Sequence, residues 1–193
     1  NYTHPDMPAG AEDGIRKGLY LLSSGPEGAR RVQLMGSGAI LREAIAAASI
    51  LEQDFGVVAD IWSATSFNEL RRDGLITSRW NMLHPEETPR QSFVEECLEG
   101  AKGPVVASTD YMKSYADQIR EFISGTYTVL GTDGFGRSDT RERLRHFFEV
   151  DRYFIVVAAL TALVEDNVVD VGQVAAAIKK FGIDPEKVNP ALS

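Results

Sequence analysis

Apolar positions along this chain follow two alternating rhythms, and the alternation predicts the architecture. Short apolar or β-branched runs read as strands at Gly18 to Leu22, Val32 to Met35, Val57 to Trp62, Pro104 to Ser108 and Tyr127 to Leu130. Between them Leu41, Ala44, Ile45, Ala48, Leu51 and Phe55 recur at helical spacing, and Gly56 stands where a C-terminal cap belongs. Ser66-Phe-Asn-Glu69 and Ser92-Phe-Val-Glu95 have the spacing of a capping box. The first is expected to open a short helix to Asp73, the second a helix ending near Gly100. Ser114 to Phe122 reads as a further helix carrying Tyr115, Ile119 and Phe122.

After Leu130 the pattern is helical. Leu144, Phe147 and Phe148 mark one helix. Tyr153, Val156, Val157, Leu160 and Val164 mark a second, and Val171, Val174, Ile178 and Phe181 a third that stops at Gly182. Repeated strand–helix alternation implies an α/β fold, a mostly parallel sheet with helices on both faces. Residues 1–17, with Pro5, Pro8, Gly10 and Gly14, read as a linker leading into a short helix, so the domain proper is expected at 18–193.

Composition narrows the chemistry. The net charge of −8 argues against a general nucleic-acid binder, and no apolar run approaches the ~20 residues that span a bilayer. Cys97 is the single cysteine, which suits a reducing, cytoplasmic setting. Glu95 and Glu96 discourage its thiolate, so a buried structural thiol is expected there. His4, His84 and His146 share no metal-ligand spacing with one another or with Cys97. The chain starts at Asn1 rather than Met, which points to a fragment or a processed product.

Three polar segments carry candidate chemistry. Gly131-Thr-Asp-Gly-Phe-Gly-Arg-Ser-Asp139 joins a strand to an arginine-rich helix, and Asp139 with Glu142 reads as that helix's cap. Ser78 to Arg90 combines Arg79, Trp80, His84, Pro85 and Pro89, matches no helix or strand period, and reads either as a binding surface or lid or as a packed surface loop held down by Trp80 and Met82. Ser108-Thr-Asp-Tyr-Met-Lys113 ends a strand and carries Asp110. Gly36-Ser-Gly-Ala-Ile-Leu41 resembles a dinucleotide fingerprint, but Leu41 stands where the third glycine belongs, so a plain strand-to-helix turn is expected. In an open parallel sheet, the strand ends at Ser63, Ser108 and Leu130 share the edge where such folds bind ligands and partners.

Together these stretches resemble one family. Asn1-Tyr-Thr-His-Pro-Asp-Met-Pro8, Gln33 to Gly38, Thr65 to Leu70, Arg79 to Pro85, Ala107 to Met112 and Gly131 to Asp139 are similar to the C-terminal region of the homodimeric, thiamine-dependent pyruvate dehydrogenases. The ending Lys187 to Ser193 resembles that family's C-terminus. The resemblance implies a three-layer transketolase C-terminal-like domain: a five-stranded, mostly parallel sheet with one antiparallel strand, expected at Gly18 to Leu22. It implies thiamine diphosphate and magnesium in the parent enzyme, held by upstream domains, and none on this chain. No catalytic, cofactor-binding or metal-binding residue is transferred. The implied partners are the upstream thiamine-binding domains, the second protomer and dihydrolipoamide acetyltransferase. Arg79, Trp80, His84, Asp110, Thr132, Asp133, Phe135, Arg137 and Ser138 are the expected interdomain or channel-rim residues. A sugar-transferring transketolase relative and a freestanding interaction module of the complex remain alternatives.

Overall fold

A computed structural model describes residues 5–28 and 30–193. The beginning of the Asn1 to Pro8 motif, with His4, lies outside the described residues. Among the described residues five strands form one sheet in the order β1-β3-β2-β4-β5: β1 (Leu19–Ser23), β2 (Arg31–Gly36), β3 (Val58–Ala64), β4 (Val105–Ser108) and β5 (Tyr127–Leu130). β1 runs antiparallel to β3, as expected for that segment, and every other pairing is parallel. Among the described residues eight α-helices surround it: α1 (Glu12–Lys17), α2 (Leu41–Phe55), α3 (Phe67–Leu83), α4 (Phe93–Leu98), α5 (Lys113–Asp117), α6 (Arg141–Phe147), α7 (Arg152–Glu165) and α8 (Val171–Phe181).

Both faces of the sheet are covered, so the strands carry apolar residues on each side. On one face Val32, Leu34, Ala59 and Val106 pack with Ala44, Ala47 and Leu51 of α2 and Ile155, Ala159, Leu160 and Leu163 of α7. On the other, Met35, Trp62, Val105, Ala107 and Tyr127 pack with Phe67 and Leu70 of α3, Val94 of α4 and Ala116 of α5. Gly56 caps α2 in the left-handed conformation at φ 61°, and Ser92 with Glu95 forms the complete capping box that opens α4.

Three expectations are corrected. The helix opened by Ser66 does not stop at Asp73 but runs to Leu83, so the first half of the supposed loop at 78–90 is helical. The helix expected over Ser114 to Phe122 breaks after Asp117 and resumes as a 3-10 turn at Arg120–Phe122. There Phe122 turns its ring onto Gly74 of α3, where a β-carbon would lie 2.4 Å away. Finally, α6 is capped by Thr140, whose hydroxyl accepts from the Arg143 N–H. Asp139, the expected cap, instead accepts from the Thr140 N–H at 2.7 Å.

Beneath the amino half of the sheet lies a polar chain that no local pattern signals. The Trp62 indole donates to Gln33 at 2.8 Å, Gln33 donates to Asp60 at 2.8 Å, and Asp60 pairs with Arg31 and accepts from the Gly25 N–H. Gln33 is fully buried, and this chain satisfies both ends of its amide.

Candidate functional site

The parallel register sets Gly36 beside both Ser63 and Ser108, and Ser108 beside Leu130, so the loops that follow β2, β4 and β5 meet at one edge. They are stitched together. Ser37 N–H donates to the Ser108 carbonyl, and the Ser37 and Thr109 hydroxyls lie 3.3 Å apart. Thr132 donates through its N–H to the Tyr111 carbonyl and through its hydroxyl to the Asp110 carbonyl, at 2.8 and 2.6 Å. The Asp133 carboxylate accepts from the Lys113 N–H at 3.0 Å.

Two glycines make this loop feasible. A β-carbon on Gly131 would meet the Lys113 nitrogen and Tyr111 oxygen at 2.6 and 2.7 Å. Gly134, at φ 106°, adopts a conformation that side chains resist, and its missing β-carbon leaves room for the Pro190 carbonyl. The chain's last turn therefore packs on the Gly131–Asp139 loop. Arg137 lies 4.2 Å over the Phe147 ring and donates to the Ser193 hydroxyl at 3.1 Å. Phe135 points outward, 83% exposed, and Ser138 is also exposed.

Arg79, Trp80 and His84 sit elsewhere. α3 leaves the carboxyl end of β3, and at 1.5 Å per residue its last turns stand about 20 Å along the helix from Ser66. Gly74 is the last buried residue before Ser92. Beyond it the segment folds on itself: the His84 ring stacks on Trp80 at 4.3 Å, and Arg90 covers the Trp80 ring at 3.6 Å. Asn81 clamps the Arg90 backbone with two hydrogen bonds, at 2.9 and 2.8 Å. His84 Nδ1 donates to the Trp80 carbonyl at 2.8 Å, which ties its ring to the arm. Trp80 does hold the segment down, but Met82 does not: it is 71% exposed, in a stripe with Leu75, Ile76 and Leu83. The structure thus groups Asp110, Thr132, Asp133, Phe135, Arg137 and Ser138 at the sheet edge and leaves Arg79, Trp80 and His84 on a separate arm.

Sequence reasoning missed a charged cluster at the root of α6 and α7. Glu43, on α2 and only 4% exposed, receives Arg145 at 2.8 Å and Arg152 at 2.9 and 3.2 Å, together with the Arg152 N–H at 3.1 Å. Burial pushes its carboxyl upward. The Arg152 hydrogen bonds and charge, joined by Arg145, outweigh burial and hold it below its ordinary value. Beside it, Asp151 caps α7 by accepting from the Tyr153 and Phe154 N–H groups and pairs with His146 at 2.9 Å. Glu43 is 102 residues from Arg145 and 109 from Arg152 in sequence, so only the tertiary fold joins them. Cys97 is half-buried, and burial, then the charge of Glu96, pushes its thiol up to about 11 despite Lys17.

Among the described residues, no three His, Cys, Asp or Glu side chains gather where they could hold a metal ion. The described groups at the sheet edge are suited to hydrogen bonding, ion pairing and apolar contact.

The architecture and sequence place this chain in a defined class. It belongs to the family described as the Transketolase-like TK C-terminal domain, whose model matches residues 18–151. A transketolase structure from Campylobacter jejuni shares the fold, with a TM-score of 0.53 and 18% identity over 76% of this chain and 19% of that one. Within the class, the chain is 62% identical over 192 residues to the pyruvate dehydrogenase E1 component of Pseudomonas aeruginosa, and 57% identical to that of Cupriavidus necator. Each match covers 98% of this chain and 22% of the relative, so the chain spans about a fifth of their length.

Proposed function

We propose that this chain is the C-terminal domain of a pyruvate dehydrogenase E1 component and serves it as a structural part. The observation that carries this reading is a 62% identity sustained over 98% of the chain yet confined to 22% of the relative. On this reading the parent enzyme decarboxylates pyruvate with thiamine diphosphate and magnesium, then reductively acetylates the lipoyl group of dihydrolipoamide acetyltransferase in the bacterial cytoplasm. The cofactor supplies the carbanion chemistry and belongs to upstream domains; this chain contributes no catalytic group. Its work is positional: to support a homodimer and to border the channel into the active site.

Two surfaces support that role. The α3 arm carries Arg79, Trp80 and His84 beside the exposed Leu75, Ile76, Met82 and Leu83, a stripe the chain's own core does not use. The Gly131–Asp139 loop presents Phe135 and Ser138 outward while its inner side is fixed by Thr132, Asp133 and Arg137. Asp133 and Arg137 shape this loop from within as well as facing its neighbours.

The test is the Asp133→Ala, Arg137→Ala double variant of the full-length enzyme. Weaker dimers by sedimentation, or slower acetyl transfer, are expected with the melting of the other domains unchanged. Wild-type assembly together with wild-type turnover would contradict the role.

A further inference from the structure

The charge of this chain is unevenly spread. Its net charge is −8, yet α6 carries Arg141, Arg143 and Arg145 at alternate positions. That helix forms one wall of a groove of about 1220 Å³, completed by the first turns of α2 and α7 and the segment after α8. Arg42, Arg143, Arg145 and Arg152 all line it.

The floor of the groove has a surplus of positive charge. Two guanidiniums, Arg145 and Arg152, share the one buried carboxylate of Glu43, at 2.8 and 2.9 Å. Asp151 turns instead to the α7 N–H groups and to His146. Half-buried charge of one sign favours a partner of the other. Glu43 takes Nε and Nη2 of Arg152, so that guanidinium is held in place with Nη1 outside the pair. Arg143, its side chain 77% exposed, stands 3.9 Å from Asp139, too far for a hydrogen bond. Arg42 is exposed at the start of α2, and five N–H donors let it keep its present contacts and still meet an anion.

The rest of the lining selects the kind of anion. The volume exceeds the ~300–1,000 Å³ of small-molecule sites, and the cationic groups come from three helices. Glu142 and Asp184 line the same groove and repel a continuous polyanion such as nucleic acid, as does the overall charge. Phe147 and Tyr153 add apolar surface. Carboxylates spaced along a peptide, with apolar groups between them, match that mixture.

We propose that this groove docks an acidic segment of a partner protein. Its carboxylates meet Arg42, Arg143 and Arg152, and its backbone and apolar side chains lie against Phe147 and Tyr153. The proposal goes beyond the assembly role and does not depend on it, because the groove uses neither the α3 arm nor Phe135.

The test follows a fluorescein-labelled octaglutamate peptide by fluorescence polarisation as full-length enzyme is added. Saturable binding is expected, and it should weaken as salt rises, because exposed charges are screened. Arg42→Gln with Arg143→Gln, both at exposed positions, is expected to weaken it about tenfold or more with melting unchanged. Arg30→Gln with Arg71→Gln removes the same charge outside the groove and is expected to leave binding at its wild-type value. No saturable binding, an equal loss from both double variants, or an octathymidylate oligonucleotide binding as tightly as the peptide would each overturn the assignment.

Discussion

α7 and the outer half of α3 are both regular helix, yet they are built for opposite purposes. α7 buries Ile155, Val156, Ala159, Leu160, Ala162 and Leu163 against the sheet and α2, and its first turn is anchored by Asp151 and by Glu43 through Arg152. α3 buries Phe67, Leu70 and Gly74 and then buries nothing more, although Leu75, Ile76, Met82 and Leu83 are apolar. Isolated helices this short are marginal in water, and the arm's own supports are the Trp80–His84–Arg90 stack and the Asn81 clamp. The difference teaches that apolar residues on a helix do not by themselves mark its own core. α7 packs its apolar face against this chain, and the arm leaves its apolar face exposed.

The largest effect should come from the side that serves the chain's own core. Leu160→Ala in α7 is expected to cost about 3–4 kcal/mol by removing a fully buried side chain from a two-sided core. Denaturant unfolding of the isolated chain measures it, and a cost near zero would mean that α7 is not the anchor described.

Next comes Glu43→Ala, at about 2–3 kcal/mol. It removes the buried carboxylate that both Arg145 and Arg152 engage, and Arg152, the more exposed of the two, can turn to water. Because Glu43's carboxyl is depressed in the folded state, its stabilisation is fully present above the ordinary value of 4.5 and is lost as pH falls through the lower folded value. Glu43→Gln should flatten that part of the stability–pH curve, and an unchanged acid limb would show that the cluster does not govern it.

Much of the first region was legible in the sequence. The periodicity of α2, the Gly56 and Gly182 caps, the Ser92 capping box and the bounds of β5 follow from local pattern and turn chemistry. The antiparallel placement of β1 came with the family resemblance. The arm was misread because Pro85 and Pro89 and the charged residues around Trp80 suggest a loop, and no core contact continues the helical period past Gly74. The candidate site was legible only in part. Strand ends and glycines located the Gly131–Asp139 loop, but its docking on Pro190 and Ser193, like the Glu43 cluster and the Gln33–Asp60–Trp62 chain, joins residues far apart in sequence. Pairings of that kind leave no local trace.

The smallest effect on the isolated chain should decide the comparison. Ile76→Ser with Met82→Ser alters side chains that are 63% and 71% exposed, so the chain's own stability should move by no more than about 0.5 kcal/mol. In the full-length enzyme, the same double variant should weaken dimer assembly by about tenfold or more if, as proposed, the stripe makes apolar contact with a neighbouring surface. A dimer dissociation constant from analytical ultracentrifugation, unchanged between wild type and the double variant, would contradict the claim that this domain serves its enzyme through the α3 arm.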